Sequence, residues 1–305
     1  MTKKIILIAG PTASGKSNIA LKIAKKIKGE IINADSMQVY KEFSILSSRP
    51  KQKDLKLQKH HLYGCVSVKK HFSTGKWLSL VKTSINKCIK DKKIPILVGG
   101  TGLYFEAVVK GISKIPNIEP KFRKKTRELQ KKIGQKKFYD ALIKLDPLVK
   151  NKIDFFDTQR SIRAYEVKKY TKKSIFSWYK LTKSKFLDFK IHKVFINTPR
   201  EELLKRILKR TEKMFRDKCI TEVKNFLQLN IEPSLSANKI IGVEEIKKYL
   251  LGVLTLEETK NLIHIKTRQY AKRQFTWSRG HMSAWKKLYS ENSNDLTKKI
   301  LKVIS

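Results

Sequence analysis

The sequence is poor in cysteine and in long apolar runs. It has three cysteines in 305 residues, and their number and spacing match neither a disulfide framework nor a zinc site. We therefore expect reduced thiols in a cytoplasmic protein, with Cys65, Cys88 and Cys219 as small packing residues. Because no run of about 18 apolar residues occurs, no membrane-spanning helix is expected. The apolar run Ile5–Ala9 is too short for a signal peptide and is typical of a buried strand.

Acidic residues are also scarce. Lysine and arginine total 69 against 26 acidic residues, which gives a formal net charge of +43. A chain this basic repels itself unless a polyanion lies near, so a nucleic acid is the natural partner. Codon bias in an AT-rich genome is a second source of excess lysine, and composition alone leaves both explanations open.

Short runs rich in isoleucine and valine predict four strands, at Ile5–Ala9, Glu30–Ala34, Ile94–Val98 and Lys193–Asn197. Helical periodicity lies between them; Ile19, Ala20, Ile23, Ala24 and Ile27, for example, fall on one face of a helix. Strands that alternate with helices predict an α/β fold, with a parallel sheet covered by helices on both sides.

The pattern changes after about residue 115, where a lysine-rich stretch has helical periodicity and no strand. We predict an all-helical insertion at residues 115–187. Residues 1–114 and 188–305 would then form the α/β core, and the segment Arg200–Trp277 within it is again mainly helical.

The clearest local pattern is Gly10-Pro11-Thr12-Ala13-Ser14-Gly15-Lys16-Ser17, which follows a strand and opens a helix. It fits G-x-x-x-x-G-K-S, the phosphate loop of P-loop proteins. In such a loop, backbone N–H groups and the helix N-terminus surround phosphates. Lys16 is expected to pair with a terminal phosphate, and Ser17 to hold Mg²⁺ through its hydroxyl.

The loop indicates a diphosphate or a triphosphate but does not by itself indicate ATP. P-loop proteins that hydrolyse nucleotides usually carry an acidic magnesium ligand at the end of an apolar strand. Here the third strand runs into Gly99-Gly100-Thr101-Gly102, without an acidic residue. This argues against a motor or signalling NTPase and leaves small-molecule kinases and transferases that use a diphosphate.

The second predicted strand leads into Asp35, in the segment Asp35-Ser36-Met37-Gln38-Val39-Tyr40. Because the carboxyl ends of parallel strands meet at one edge of the sheet, Asp35 is expected to face the same crevice as the phosphate loop. A carboxylate there could cap a helix, bind Mg²⁺ or act as a general base. The residues alone do not choose among these roles.

Five spaced segments together resemble the tRNA dimethylallyltransferase family, also called tRNA isopentenyltransferases, and span nearly the whole chain. They are Gly10–Ser17, Asp35–Tyr40, Pro95–Tyr104, Asp157–Arg163 and Tyr270–Trp277. The chain departs from the family pattern at Leu46–Pro50, Tyr63–Gly64 and Phe155–Phe156.

The resemblance implies a P-loop NTPase-like fold and a prenyl transfer. Dimethylallyl diphosphate would lie on the phosphate loop with Mg²⁺, and the acceptor would be the exocyclic amine of the adenosine 3′-adjacent to the anticodon. By position, Asp35 resembles the general base and Thr101 the group near the bridging oxygen. Lys16, the rest of the loop and the arginines Arg206 and Arg210 would stabilise the departing diphosphate. We expect a monomer, because one anticodon stem-loop needs one binding cleft.

The resemblance also implies contacts with tRNA from several segments. These positions are Asp35, Ser36, Met37, Gln38, Thr101, Arg123, Gln159, Arg160, Ser161, Ile162, Arg163, Lys239, Ile240, Ile241, Gly242, Val243, Glu244, Lys272, Arg273, Gln274 and Arg279. Only 12 of the basic residues are arginine, and nine of these lie in or near the segments named so far: Arg49, Arg123, Arg160, Arg163, Arg206, Arg210, Arg268, Arg273 and Arg279. Arginine offers a planar fork for phosphates, although pairing with carboxylates on helix surfaces is the simpler explanation for some of them.

Other features have structural explanations. His60 and His61 have no further ligand at metal-binding spacing in the sequence, so packing or backbone hydrogen bonds are expected. The four tryptophans, Trp77, Trp178, Trp277 and Trp285, are expected to be buried. Two rival functions remain at this stage: a nucleoside or nucleotide kinase, and an RNA-binding protein whose phosphate loop is inactive.

Overall fold

The computed structural model describes residues 3–305 and divides into two compact units. One unit runs to Val109 and resumes at Phe186–Ser305, and the other is Lys110–Lys185. The boundaries lie within a few residues of those predicted for the core and the insertion.

The first unit contains six parallel strands in the order β3-β2-β4-β1-β5-β6. Their bounds are β1 Lys4–Ala9, β2 Gly29–Asn33, β3 His60–His61, β4 Ile94–Gly99, β5 Lys190–Ile196 and β6 Lys286–Leu288. The four predicted strands are thereby confirmed to within a few residues. The edge strands β3 and β6 were missed because two or three residues give no periodicity.

Helices cover both faces of this sheet. In chain order they are α1 Lys16–Lys26, α2 Gln52–Leu57, α3 Thr74–Lys90 and α4 Gly102–Val109, and after the insertion α8 Arg200–Arg216, α9 Cys219–Leu227, α10 Val243–Leu250, α11 Leu256–His281 and α12 Ser293–Ile304. The alternation of side chains along β1 supplies two separate cores, because Ile5 and Leu7 face one side of the sheet and Ile6 and Ile8 the other. The parallel α/β fold is confirmed.

The second unit is helical, with α5 Pro120–Leu145, α6 Thr158–Thr171 and α7 Ile175–Lys180. Helix α5 bends at Gly134, whose backbone is not helical. This unit has its own apolar core, which includes the buried residues Leu142, Val149, Ala164 and Val167. A separate core is what allows an insertion to fold as a unit.

The buried residues partly match the sequence expectations. Cys88 and Cys219 are buried, as are Trp77 and Trp285. The expectation for Cys65 was wrong, because this residue is exposed. Trp178 and Trp277 are only half-buried. No helix among residues 3–305 combines the length and apolar character needed to cross a bilayer.

Candidate active site

The phosphate loop lies between β1 and α1, as its sequence predicts. Gly15 precedes α1 with φ +81°, a left-handed conformation that glycine adopts without steric cost. Lys16 folds back over the loop, and its Nζ donates to the Pro11 carbonyl at 3.1 Å. Burial lowers the pKa of Lys16 to about 8; the nearby charge of Asp35 opposes this shift, and that of Arg210 adds to it.

Two arginines of α8 reach the loop from its other side. Arg210 Nη1 donates to Thr12 Oγ1 at 2.7 Å, and Arg206 Nη1 donates to the Ser14 carbonyl at 3.3 Å. Arg206 also pairs with Glu202 at 2.7 Å, whereas Arg210 Nε is buried and has no hydrogen-bond partner among the described residues. An unpartnered buried guanidinium N–H next to the loop is a donor ready for an anion.

Asp35 follows β2 in a tight turn and caps no helix, so the capping interpretation is excluded. Its Oδ1 accepts from Met37 N at 2.9 Å, and its own N–H donates to Asn33 Oδ1 at 2.8 Å. The buried Asn33 amide also donates to the carbonyls of Asp35 and Leu62. These contacts fix the backbone of the turn and hold the carboxylate in one orientation.

The charge of Asp35 shifts the pKa values of side chains on several elements of the fold. Burial raises the pKa of three phenols, those of Tyr63, Tyr104 and Tyr270, and the Asp35 charge raises each of them further. The same charge acts on Lys16 and Arg210. Asp35 therefore lies within electrostatic range of Lys16 in the loop, of Arg210 and of these three phenols.

Thr101 connects the end of β4 to the Asp35 turn. Its Oγ1 accepts from Ser36 N at 2.9 Å and lies 3.3 Å from Ser36 Oγ, while its N–H donates to the Ala34 carbonyl at 3.2 Å. The structure thus brings together the three residues predicted to be catalytic: Lys16, Asp35 and Thr101.

A cavity of about 600 Å³ adjoins this cluster through Arg210 and Tyr63. Its walls include Ile45, Met214 and the segment Ser48-Arg49-Pro50. A volume of this size is within the usual range for a small-molecule site. Part of the stretch Leu46–Pro50, where the sequence departs from the family pattern, therefore lines this cavity.

The residues of the loop fit a phosphate-bound magnesium ion. The Ser17 hydroxyl is exposed at the start of α1, and Ser14 Oγ is buried without a hydrogen-bond partner among residues 3–305. Hydroxyl oxygens, phosphate oxygens and water are the hard ligands that Mg²⁺ prefers.

In the helical unit, two of the arginines predicted to contact tRNA converge on one carboxylate. Arg123 Nε lies 3.4 Å and Arg163 Nη1 3.3 Å from Oε2 of the buried Glu166. Arg160 pairs with Asp157, the residue that caps α6. Ion pairing with carboxylates is therefore one reason why arginines occur at these positions. The same ion pairs fix the orientation of the guanidinium groups.

The other predicted tRNA positions divide by exposure. Ser161 and Ile162 are buried, as are Ile240, Gly242 and Val243. These residues therefore offer little surface for contact with RNA. Exposed positions are Gln159, Arg160, Lys239, Glu244, Lys272, Arg273 and Arg279, while Ser36, Met37, Gln38, Arg163 and Ile241 are half-buried. Gln274 points into the protein and bonds to the phosphate loop.

His61 has partners that the sequence analysis did not foresee. Its Nε2 lies 2.6 Å from Oε2 of the buried Glu30, and Cys88 Sγ lies 3.5 Å from the same oxygen. Burial raises the pKa of Cys88 to about 12, so the thiol keeps its proton and donates. This is a hydrogen-bonded cluster that satisfies a buried carboxylate. His60 bonds to the Gln58 carbonyl, as expected of a structural histidine.

A glycine-rich loop with the phosphate-loop sequence pattern, at the carboxyl edge of a parallel sheet, defines a P-loop NTPase-like α/β protein. The model of one family, IPP transferase, matches residues 38–281. Similar curated proteins include the tRNA dimethylallyltransferases of Pelagibacter ubique and Rickettsia canadensis. The first is 55% identical over 98% of this chain and 96% of its own, and the second 42% identical over 97% and 91%. The chain belongs to the IPP transferase family.

Solved structures show the same similarity. The full-length tRNA isopentenylpyrophosphate transferase of Bacillus halodurans is 27% identical with a TM-score of 0.71, and covers 99% of this chain and 97% of its own. A eukaryotic dimethylallyltransferase solved acting on tRNA is also 27% identical, with a TM-score of 0.79 over 94% of this chain and 74% of its own. The resemblance drawn from the five sequence segments is thereby confirmed.

Proposed function

We propose that this enzyme transfers a dimethylallyl group from dimethylallyl diphosphate to the exocyclic amine of the adenosine 3′-adjacent to the anticodon in tRNA. What carries the proposal is the meeting of Lys16, Arg210 and Asp35 at one edge of the sheet, in a chain of this family. The positive groups suit a diphosphate leaving group, and the carboxylate suits a proton acceptor.

The chemistry assigns a task to each group. The allylic C–O bond breaks, a bond forms between that carbon and the adenine amine, and diphosphate leaves. The amine becomes acidic as it bonds, so its proton passes to the Asp35 carboxylate. Lys16, Arg206, Arg210 and the loop N–H groups stabilise the negative charge on the departing diphosphate.

The magnesium ion belongs to this proposal. Ser17 would hold it, together with oxygens of the diphosphate. When bound, it would neutralise part of the charge that develops on the leaving group.

Transfer to a base in RNA requires that base to leave its stack, and a single-stranded anticodon loop makes this inexpensive. Each unit has exposed basic residues that could bind the phosphate backbone of the RNA. We also propose that the protein acts on tRNA in the cytoplasm, and that it acts as a monomer.

One assay separates this function from its rivals. Purified protein is incubated with unmodified tRNA and either labelled dimethylallyl diphosphate or ATP, and the nucleosides of the product are analysed. We expect prenyl adenosine in the first mixture only, and its loss when a chelator removes Mg²⁺. Phosphoryl transfer from ATP would indicate a kinase, and tRNA binding without any transfer would indicate an RNA-binding protein.

The arginines of α6 offer a test of RNA binding. Arg160 and Arg163 lie three residues apart, with side chains 70% and 37% exposed. Replacing both with alanine should weaken tRNA binding and flatten its salt dependence by about 0.7–0.9 in log K against log salt for each lost phosphate contact. Binding of dimethylallyl diphosphate should not change.

The control is the pair Lys25 and Lys26, which are exposed at the end of α1 and removed from the predicted contacts. Alanine at both positions removes the same charge and should do much less. Equal effects of the two double variants in a filter-binding titration over salt would mean that charge acts only as a diffuse attractor.

A further inference from the structure

Gln274 of α11 joins two segments that are far apart in the sequence. Its Oε1 accepts from Thr12 N of the phosphate loop at 2.8 Å, and its Nε2 donates to the Gly100 carbonyl at 2.9 Å. The orientation of the amide is fixed by its partners, since a backbone N–H can only donate and a carbonyl can only accept. One side chain therefore sets the spacing between the phosphate loop and the turn that follows β4.

The turn fits closely around this side chain. A Cβ atom added at Gly100 would lie 2.2 Å from Gln274 Nε2, so a side chain at this position would displace the amide from its place. Trp277, three residues later on α11, packs against Gly102 of the same turn, where an added Cβ atom would lie 2.2 Å from the indole ring. Helix α11 thus contacts both the phosphate loop and the turn that contains Thr101.

The same helix reaches the loop in a second way. Ala271 and Phe275 pack with Ala13 of the loop and with Leu203 and Ile207 of α8. Helix α8 carries Arg206 and Arg210, which bond to the loop directly. Helix α11 therefore packs against the phosphate loop and against the helix that carries the two arginines, and it also bonds to the turn that contains Thr101.

We propose that Gln274 is a positioning residue for the transfer reaction, which sets the distance from the diphosphate to the Thr101–Asp35 side of the site. Thr101 bonds to the backbone of Ser36, next to Asp35, so a shift of the turn passes to the carboxylate. This inference rests on the proposed function. It replaces the expectation that Gln274 contacts tRNA, because its amide is already bonded to the protein at both ends.

The argument predicts a defect in rate and not in RNA affinity. Loss of both hydrogen bonds frees the loop and the turn to move apart, and misplacement by about 1 Å can cost roughly 10²-fold in rate. Gln274→Met removes both bonds at similar volume. Gln274→Glu keeps the acceptor for Thr12 N, but it loses the donor and sets a carboxylate against the Gly100 carbonyl.

The test measures the single-turnover rate at saturating substrates, the KM for dimethylallyl diphosphate, and the tRNA Kd without diphosphate. For Gln274→Met we expect a rate lowered about 10- to 100-fold and a tRNA Kd within about twofold of wild type. Gln269→Met is the matched control, since Gln269 is exposed on the same helix. It should leave all three quantities unchanged.

Several outcomes would overturn the inference. A tRNA Kd that rises with the rate constant unchanged would make Gln274 an RNA contact. A rate equal to that of the control would mean that the spacing does not depend on this amide. If Gln274→Met melts below the assay temperature, Gln274→Glu decides, because a wild-type rate in that variant contradicts the proposal. Wild-type protein assayed in parallel isolates failure of the proposed function, which would appear as no prenyl transfer at all.

Discussion

Lys16→Ala is expected to lower the rate of prenyl transfer by about 10²–10³-fold, the usual cost of removing one donor that stabilises a developing anion. The Lys16 amine donates to the Pro11 carbonyl of the loop and is within electrostatic range of Asp35 and Arg210. Removing it takes away one of the cations that the proposal assigns to the departing diphosphate. Binding of tRNA should survive, because this side chain belongs to the phosphate loop. A single-turnover assay and a tRNA titration measure the two effects separately.

Lys25→Ala is the control for this experiment. Lys25 lies on the same helix as Lys16, but it is exposed in the last turn. It should leave the rate close to that of wild type. A rate for Lys16→Ala within threefold of wild type would contradict the role assigned to Lys16.

Asp35→Asn is expected to lower the single-turnover rate by about 10²–10⁴-fold, the range typical of a general base. Asparagine retains an oxygen that can accept from Met37 N, so the turn should keep its shape. What it loses is the capacity to take a proton from the amine. Affinities for tRNA and for dimethylallyl diphosphate should stay near normal, as equilibrium titrations can determine.

Asp188→Asn, at an exposed position of the same unit, supplies the comparison and should have no effect on the rate. A different result would reassign Asp35. If the variant loses only affinity for the diphosphate and turns over normally at saturation, then Asp35 binds the substrate or its metal and another group takes the proton.

The sequence was sufficient for the parts of the fold that have a strong period or a strong local pattern. The four inner strands contain short runs rich in isoleucine and valine, and the phosphate loop is contiguous, so both could be located without coordinates. The edge strand His60–His61 could not be located, because a strand of two residues is defined by its pairing with Ile31 and Ile32 and not by its own pattern.

The sequence predicted which residues belong to the site. It predicted fewer of the contacts between them. Lys16, Asp35 and Thr101 meet because strand ends meet in a parallel sheet, which is a general rule. The bonds of Gln274 to Thr12 and Gly100 follow no such rule, since they depend on how α11 docks. For the same reason, the burial of Glu166 beneath Arg123 and Arg163 gave no signal in the sequence.

Lys16 also makes binding of the diphosphate sensitive to protons. With a pKa of about 8, part of the Lys16 population is neutral in mildly alkaline solution before any ligand arrives. A diphosphate beside the amine favours the ammonium and raises that pKa, so binding takes a proton from solvent. Affinity is then greatest below about pH 8 and falls as pH rises through that value, by up to about tenfold per pH unit. The heat of binding will in turn depend on which buffer supplies the proton.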